Sequence, residues 1–183
     1  MTVQTTGAET AGERFAQEFA SHWQAAWNAR IPERVTAMCT EDVRWEDPLT
    51  EQPQRGKVAV ADYLRSVWRA FPDLTFTWPE GPYASFSGVK LALHWSVIGT
   101  MKGPMDPPGF AATGRRIALD GVDPIEVRDG LCSAYTGFFD VQAVARQIGA
   151  APAQGSRAER VAVGFQRLAA EIARRRARSG GSA

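Results

Sequence analysis

Three side chains of this sequence have both the chemistry and the surroundings to move a proton. Asp47 stands in Trp45-Glu46-Asp47-Pro48, between aromatic surface and a proline that fixes the backbone. Desolvation by such neighbours raises a carboxylate's pKa, which is what a general base working near neutral pH needs. Asp123 lies in an alternating run where Asp123, Ile125 and Val127 share one face, Pro124 and Glu126 the other. If the Ile125 face looks inward, Asp123 enters a pocket and Glu126 stays on the outer surface. Pro124 signals a bulge or an edge, and a solvated bulge residue is the alternative for Asp123. His94 alternates with Leu93 and Trp95 and offers an acid or a hydrogen-bond donor, although a lone strand histidine is usually structural. His22 beside Trp23 poses the same choice. No phosphate-binding glycine loop, zinc-ligand spacing or nucleophile elbow occurs. The expectation is therefore no cofactor and no metal, which suits proton-transfer chemistry.

These groups must be positioned by helices first and strands after. Phe15, Phe19, His22, Trp23, Ala26 and Trp27 recur at three- and four-residue intervals and predict a helix over about 12–29. Pro32 opens a short second helix through Val35, Met38 and Cys39. Val43 and Trp45 read as a short extended piece leading into Asp47. Val58, Ala61, Tyr63, Leu64, Val67 and Trp68 line the inner side of a helix over 57–70, which Phe71-Pro72 ends. From Leu74 the period falls to two, with strands expected over 75–78, 83–86, 90–100, 115–127 and 131–139. Arg128-Asp129-Gly130 marks a tight hairpin turn. Helices followed by a meander indicate an α+β fold with helices packed on one face of a curved antiparallel sheet.

A chain of 183 residues fits one domain with tails. Its 21 Lys and Arg against 20 acidic residues leave no overall field to hold nucleic acid or an anionic membrane, so neither is expected as a partner. Cys39 and Cys132 lack metal spacing and sit in apolar surroundings, as buried thiols of a reducing cytoplasm would; a disulfide is the alternative. The first residues carry no basic and apolar leader, and no run of about 18 apolar residues occurs, so a cytoplasmic protein is expected. The organisation is a tail over 1–12, a domain over 13–149, a linker and amphipathic helix over 150–178, and a tail over 179–183.

The order Trp27-Asn28, Glu41-Asp42-Val43, Asp47-Pro48, Gly56, Phe71-Pro72-Asp73-Leu74, Gly99-Thr100, Thr113-Gly114-Arg115, Arg128-Asp129-Gly130, Phe139-Asp140 and Arg146-Gln147-Ile148-Gly149 resembles the SnoaL-like polyketide cyclases of the nuclear transport factor 2-like superfamily. The resemblance covers about residues 14–149. It implies a cone-shaped α+β barrel, open at one end to an apolar small molecule and commonly paired in a homodimer. Asp140 lies where, by resemblance, these cyclases keep the aspartate that moves a proton in an aldol ring closure. Read from the residues alone, Asp140 is an N-cap for the helical turn Val141 to Ile148. Asp47 resembles the base of ketosteroid isomerases and Asp123 their protonated aspartate, but Trp23 stands where the tyrosine of those enzymes is expected. Met101 and Lys102 follow Gly99-Thr100 where many relatives have a histidine, and Gly137 stands where limonene-type epoxide hydrolases carry an aspartate. The implied function is a cofactor-free polyketide (ester) cyclase acting on an apolar carbonyl compound. A ketosteroid-isomerase-like enzyme or a non-catalytic binding or recruiting module are the alternatives.

Trp23, Trp27, Tyr63, Trp68, Trp95, Phe110 and Tyr135 are expected to wall the pocket, although tryptophans at core periodicity are as readily simple packing. The proline-rich loop Met101 to Ala112 reads either as a cover for the pocket mouth or as a plain surface loop. In the last helix Val161, Phe165, Leu168 and Ile172 form one apolar stripe, with Arg174, Arg175, Arg176 and Arg178 at its end. Such a stripe is expected to dock on its own domain or on a dimer mate.

Overall fold

A computed structural model describes residues 10–85, 90–106 and 109–179. Most of the two expected tails, the Phe86 end of one expected strand, and Pro107 and Pro108 of the proline-rich loop lie outside the described residues.

Helix α1 (Ala11–Ala29) starts from a reciprocal cap, Thr10 bonding the Glu13 amide and Glu13 the Thr10 amide. Its periodic face buries Ala16, Phe19, Trp23, Ala26 and Trp27, and Arg30 ends it in the left-handed conformation, φ 55°. His22 falls on the exposed side, against the expected placement on the aromatic face. Helix α2 (Pro32–Ala37) is shorter than its pattern suggests, because Cys39 already belongs to strand β1 (Cys39–Glu46). Strand β2 (Gln54–Arg55) pairs with β1 before α3 (Gly56–Ala70) turns Val60, Leu64 and Trp68 into the core.

The remaining strands are β3 (Thr75–Ala84), β4 (Lys90–Thr100), β5 (Arg116–Arg128), β6 (Leu131–Thr136) and β7 (Phe138–Phe139), followed by helices α4 (Val141–Ile148) and α5 (Arg157–Ser179). Two expected strands over 75–86 are one, interrupted by register shifts around Glu80. The hairpin turn is as read: Asp129 (φ 53°) and Gly130 (φ 76°) supply the two positive angles that a tight connection needs.

The sheet runs β2-β1-β6-β5-β4-β3, with β7 on β5, and stays open rather than closing into a full barrel. It is not wholly antiparallel, as the alternating pattern suggested. β1 lies parallel to β6, pairing Cys39 with Cys132 and Trp45 with Tyr135. A strand that arrives after two helices approaches the sheet from the helical layer, so it can add parallel without a hairpin. Pro124, anomalous inside a strand, pairs with Ala92 on one side. On the other it falls between the β7 pairing, which stops at Val122, and the β6 pairing, which starts at Ile125. No sheet bond is therefore lost to its missing N–H. The helices cover the inner face, where Trp23, Trp45, Leu64, Leu93 and Ile125 are fully buried. Among the described residues no helix is long and apolar enough to cross a membrane.

Candidate functional site

The pleat of β5 turns Gly121, Asp123 and Ile125 inward and Val122, Pro124 and Glu126 outward, as the alternation predicts. Asp123 is thereby carried into the aromatic interior with 2% of its surface exposed. Glu126 stays outside and pairs with Lys90 at 2.6 Å. Gly121 makes room for the wall: a Cβ there would fall 2.2 Å from the Trp95 ring and 2.7 Å from the Phe138 carbonyl.

The inner face encloses a cavity of about 80 Å³. Its wall is almost all apolar, including Trp27, Phe71, Phe76, Trp95, Met105 and Phe139, and its polar groups are Asp47, Tyr63 and Tyr135. Asp47 is the last residue before a Pro48 turn: its Oδ1 accepts from the Leu49 amide at 2.9 Å, and its carbonyl accepts from the Thr50 amide, also at 2.9 Å. This fixes the carboxyl at the end of β1. Tyr135 stacks on Trp45, ring centres 3.8 Å apart. A Cβ at Gly137 would lie 3.3 Å from the Tyr135 hydroxyl and 3.7 Å from Asp47 Oδ2, so the bare glycine leaves these two groups facing one small volume. A second, more open groove of about 300 Å³ reaches Asp47 from outside, past Glu46, Pro48, Thr50 and Gly137. Asp47 thus touches both the cavity and solvent.

The electrostatics separate the two carboxyls. Burial pushes Asp123 up to about 8; the nearby Trp95 indole and Tyr135 hydroxyl pull it down in part, and the charge of Asp47 adds to the rise. At pH 7 this acid is mostly protonated. Its Oδ1 and the Trp95 Nε1 both lack a hydrogen-bond partner, so the stabilisation of an anion there is incomplete. Asp47 is also raised by burial, but the Leu49 amide and the Tyr63 hydroxyl both favour its ionised form. The pair therefore holds one charge more easily than two, with the better-solvated charge on Asp47. Burial and the surrounding acids hold both tyrosine hydroxyls well above their ordinary range, as proton-bearing donors.

The aromatic and acidic expectations separate in the fold. Trp27, Tyr63, Trp95, Tyr135 and Asp47 line the cavity. Asp123 lies behind Trp95 and Tyr135 rather than on the wall. Trp23 and Trp68 are buried but fill the solid core, because the inward side of a helix faces packing as often as space. Phe110 packs against the core without lining the cavity, whereas Met105 of the same loop does line it. His94 is not in the pocket: it lies on the outer face, with Nδ1 3.9 Å from Glu80. Of the two readings of Asp140, proton carrier by resemblance and N-cap from the residues, the structure shows the cap: it accepts from the Ala143 amide at 2.9 Å on the exposed surface. The free amides of a helix start claim the nearest carboxylate, and here that is Asp140. The hydroxyls of Tyr63 and Tyr135 were foreseen only as wall; their convergence on Asp47 joins α3, β1 and β6, which no spacing in the sequence links.

Residues 20–135 match the model of the SnoaL-like domain family. Among solved structures the chain is similar to TsrD of Streptomyces laurentii, at 25% identity and a TM-score of 0.63, covering 74% of this chain and 95% of that one. It is also similar to a Jannaschia sp. CCS1 protein provisionally named a SnoaL-like polyketide cyclase, at 17% identity and a TM-score of 0.69, covering 80% and 99%. A Catenulispora acidiphila protein with a ketosteroid isomerase-like fold, in complex with trimethylamine, shares 15% identity at a TM-score of 0.62, covering 73% and 94%. Among the curated proteins none matches. The last two structures speak for the fold, which is ketosteroid isomerase-like, the nuclear transport factor 2-like architecture. With the family match spanning well over half of its length, on strands arranged as the fold requires, this chain belongs to the SnoaL-like domain family.

Proposed function

We propose that this protein is a cofactor-free general acid–base enzyme that moves a proton at a carbon beside a carbonyl group in an apolar molecule. Asp47 is the base: it borders the cavity, bears the charge of the acidic pair, and can pass its proton to solvent through the outer groove. The Tyr135 hydroxyl donates to the developing enolate oxygen. Asp123, protonated behind Tyr135, holds that donor in place without adding a second negative charge. Tyr63 orients the Asp47 carboxyl. The observation that carries this reading is Asp47 at the polar end of an aromatic cavity beside two tyrosine hydroxyls, with the fully buried acid Asp123 next to Tyr135.

Aldol ring closure and double-bond isomerisation both begin with this step, so one set of roles serves either a cyclase or an isomerase. The cavity of about 80 Å³ is below the roughly 300–1,000 Å³ of drug-sized sites, so it takes the reacting end of a polyketide-like substrate.

The test is exchange of α-hydrogens for deuterium in a panel of cyclic and aromatic ketones, followed by NMR. Asp47→Asn is expected to lower the exchange rate by a factor on the order of a hundred to ten thousand. Tyr135→Phe is expected to lower it by roughly a hundredfold or more. An Asp47→Asn protein that exchanges as fast as the parent overturns the assignment.

A further inference from the structure

The near-neutral balance of the whole chain conceals a division. Helix α5 (Arg157–Ser179) holds seven arginines and two glutamates, a net +5 in a chain of net +1, which leaves −4 on the rest. Val161, Phe165, Leu168 and Ile172 recur on it at steps of four, three and four residues, one apolar stripe about three turns long. They are 58%, 69%, 56% and 44% exposed, so no described part of the chain covers them. The side of α5 turned to the body is a different one: Glu159, Ala162, Val163 and Gln166 border a groove with Gln142 and Arg146 of α4. At 3.6 residues per turn this side lies about 140° around the helix from the stripe. The expected docking of the stripe on its own domain therefore does not occur.

The arginines border the stripe. Arg160, Arg167 and Arg174, seven residues apart, form a row along one flank, and Arg157 and Arg176 stand one turn beyond its two ends. All five are exposed. A helix that is polar on the whole, with one apolar stripe and arginines around it, has the make-up that settles in the plane of a lipid surface. Its apolar side chains enter the acyl boundary, and its guanidinium groups reach the phosphate oxygens of the headgroups. It is not apolar enough to cross the bilayer.

We propose that α5 is a peripheral membrane anchor, lying flat on an anionic lipid surface with Phe165 and Leu168 at the centre of the inserted face. Geometry favours this occupant as well as charge. The body lies behind the helix, so a flat surface reaches the stripe without meeting α4. A protein groove that wraps a basic amphipathic helix would collide with the side held against α4. Nucleic acid would meet the arginines and leave the stripe in water. The acidic body stands beyond the helix, about 10 Å or more from the lipid, which exceeds the roughly 8 Å screening length at physiological salt. Its repulsion is therefore weak beside the attraction of the arginines. The four stripe side chains carry roughly the hydrocarbon of one acyl chain, which alone gives marginal, reversible binding. The arginines supply the second attraction, roughly fivefold in affinity for each one at an anionic surface. Binding is thus conditional on lipid charge and on salt.

The experiment is co-sedimentation of the full chain with two kinds of vesicle, phosphatidylcholine alone and phosphatidylcholine mixed equally with phosphatidylglycerol. The parent is expected to bind the mixed vesicles at least about tenfold more tightly than phosphatidylcholine alone, and to release as salt rises from about 0.1 M to about 0.5 M. Arg160→Gln with Arg167→Gln is expected to weaken binding roughly twentyfold. Phe165→Glu with Leu168→Glu is expected to abolish it with unchanged circular dichroism, because both positions are exposed. An environment-sensitive dye on Leu168→Cys is expected to shift to the blue on the mixed vesicles, and the same dye on Gln166→Cys, on the body side, to stay as in water. Cys39 and Cys132 are buried and do not compete for the label. A parent that stays in solution with the mixed vesicles overturns the proposal, as does equal binding to both kinds of vesicle or binding that survives Phe165→Glu with Leu168→Glu. A blue shift at both dye positions overturns it too. So does a stripe already taken up by a second copy, seen in light scattering as a dimer that Phe165→Glu with Leu168→Glu turns into monomer.

Discussion

On β5, Asp123 points into the cone while Asp120 and Glu126 point out of it, a pleat or two apart on one strand. Inside, burial drives the carboxyl to about 8 and leaves Oδ1 without a partner. Outside, Asp120 accepts a short bond from Ser96 and Glu126 pairs with Lys90, both in contact with water. The same functional group is thus a buried, proton-retaining acid on one face and a water-contacting partner of Ser96 or Lys90 on the other. What differs is desolvation, set by which way the pleat turns. The inner face holds the candidate site; the outer face meets water.

The comparison breaks most sharply with pH. The Asp123 carboxyl is raised from 3.8 unfolded to about 8 folded, so the folded state binds its proton more tightly between these values. Its stabilisation is complete below about pH 4 and is lost as pH rises through 8. Chemical denaturation at pH 5 and pH 9 is expected to show Asp123→Asn gaining on the parent as pH rises, by about 4 kcal/mol. A difference between the two proteins that stays constant from pH 5 to pH 9 would mean that burial does not raise Asp123. Next in size is Trp45→Ala, which removes a fully buried ring between Trp23, Trp27 and Tyr135. Its expected loss is about 3–5 kcal/mol in the denaturation midpoint analysis. Smallest are the outer-face changes. Asp140→Ala removes a cap and is expected to cost about 1 kcal/mol, and His94→Gln less than about 0.5 kcal/mol. Neither is expected to slow α-hydrogen exchange, and a large loss in Asp140→Ala would move the base to the rim of the cone.

The sequence carried the order of helices and strands, the inward face of β5 and the turn that presents Asp47, because each is a local rule of period or backbone freedom. It did not carry the parallel pairing of β1 with β6, since a strand's pattern tells which face is buried but not which strand lies beside it. The same gap hid the meeting of Tyr63 and Tyr135 around Asp47, which needs three elements in place at once. Asp140 divided the two kinds of sequence reading: family position favoured catalysis, while the local rule for a helix start gave the cap that its oxygens make at α4. Trp23 and Trp68 show a third limit, because helical periodicity marks the inward side without telling cavity from close packing.

The β1–β6 pairing, Cys39 beside Cys132 and Trp45 beside Tyr135, also governs when the site comes into being. Asp47, Leu49 and Tyr63 are made early in the chain and Tyr135 late, so the ribosome releases the base long before the strand that lies beside it. Closing so long a loop carries an entropic penalty that only the finished sheet repays. During synthesis β1 therefore waits with its edge unpaired, and Asp47 becomes a buried acid only once the strand bearing Tyr135 has emerged.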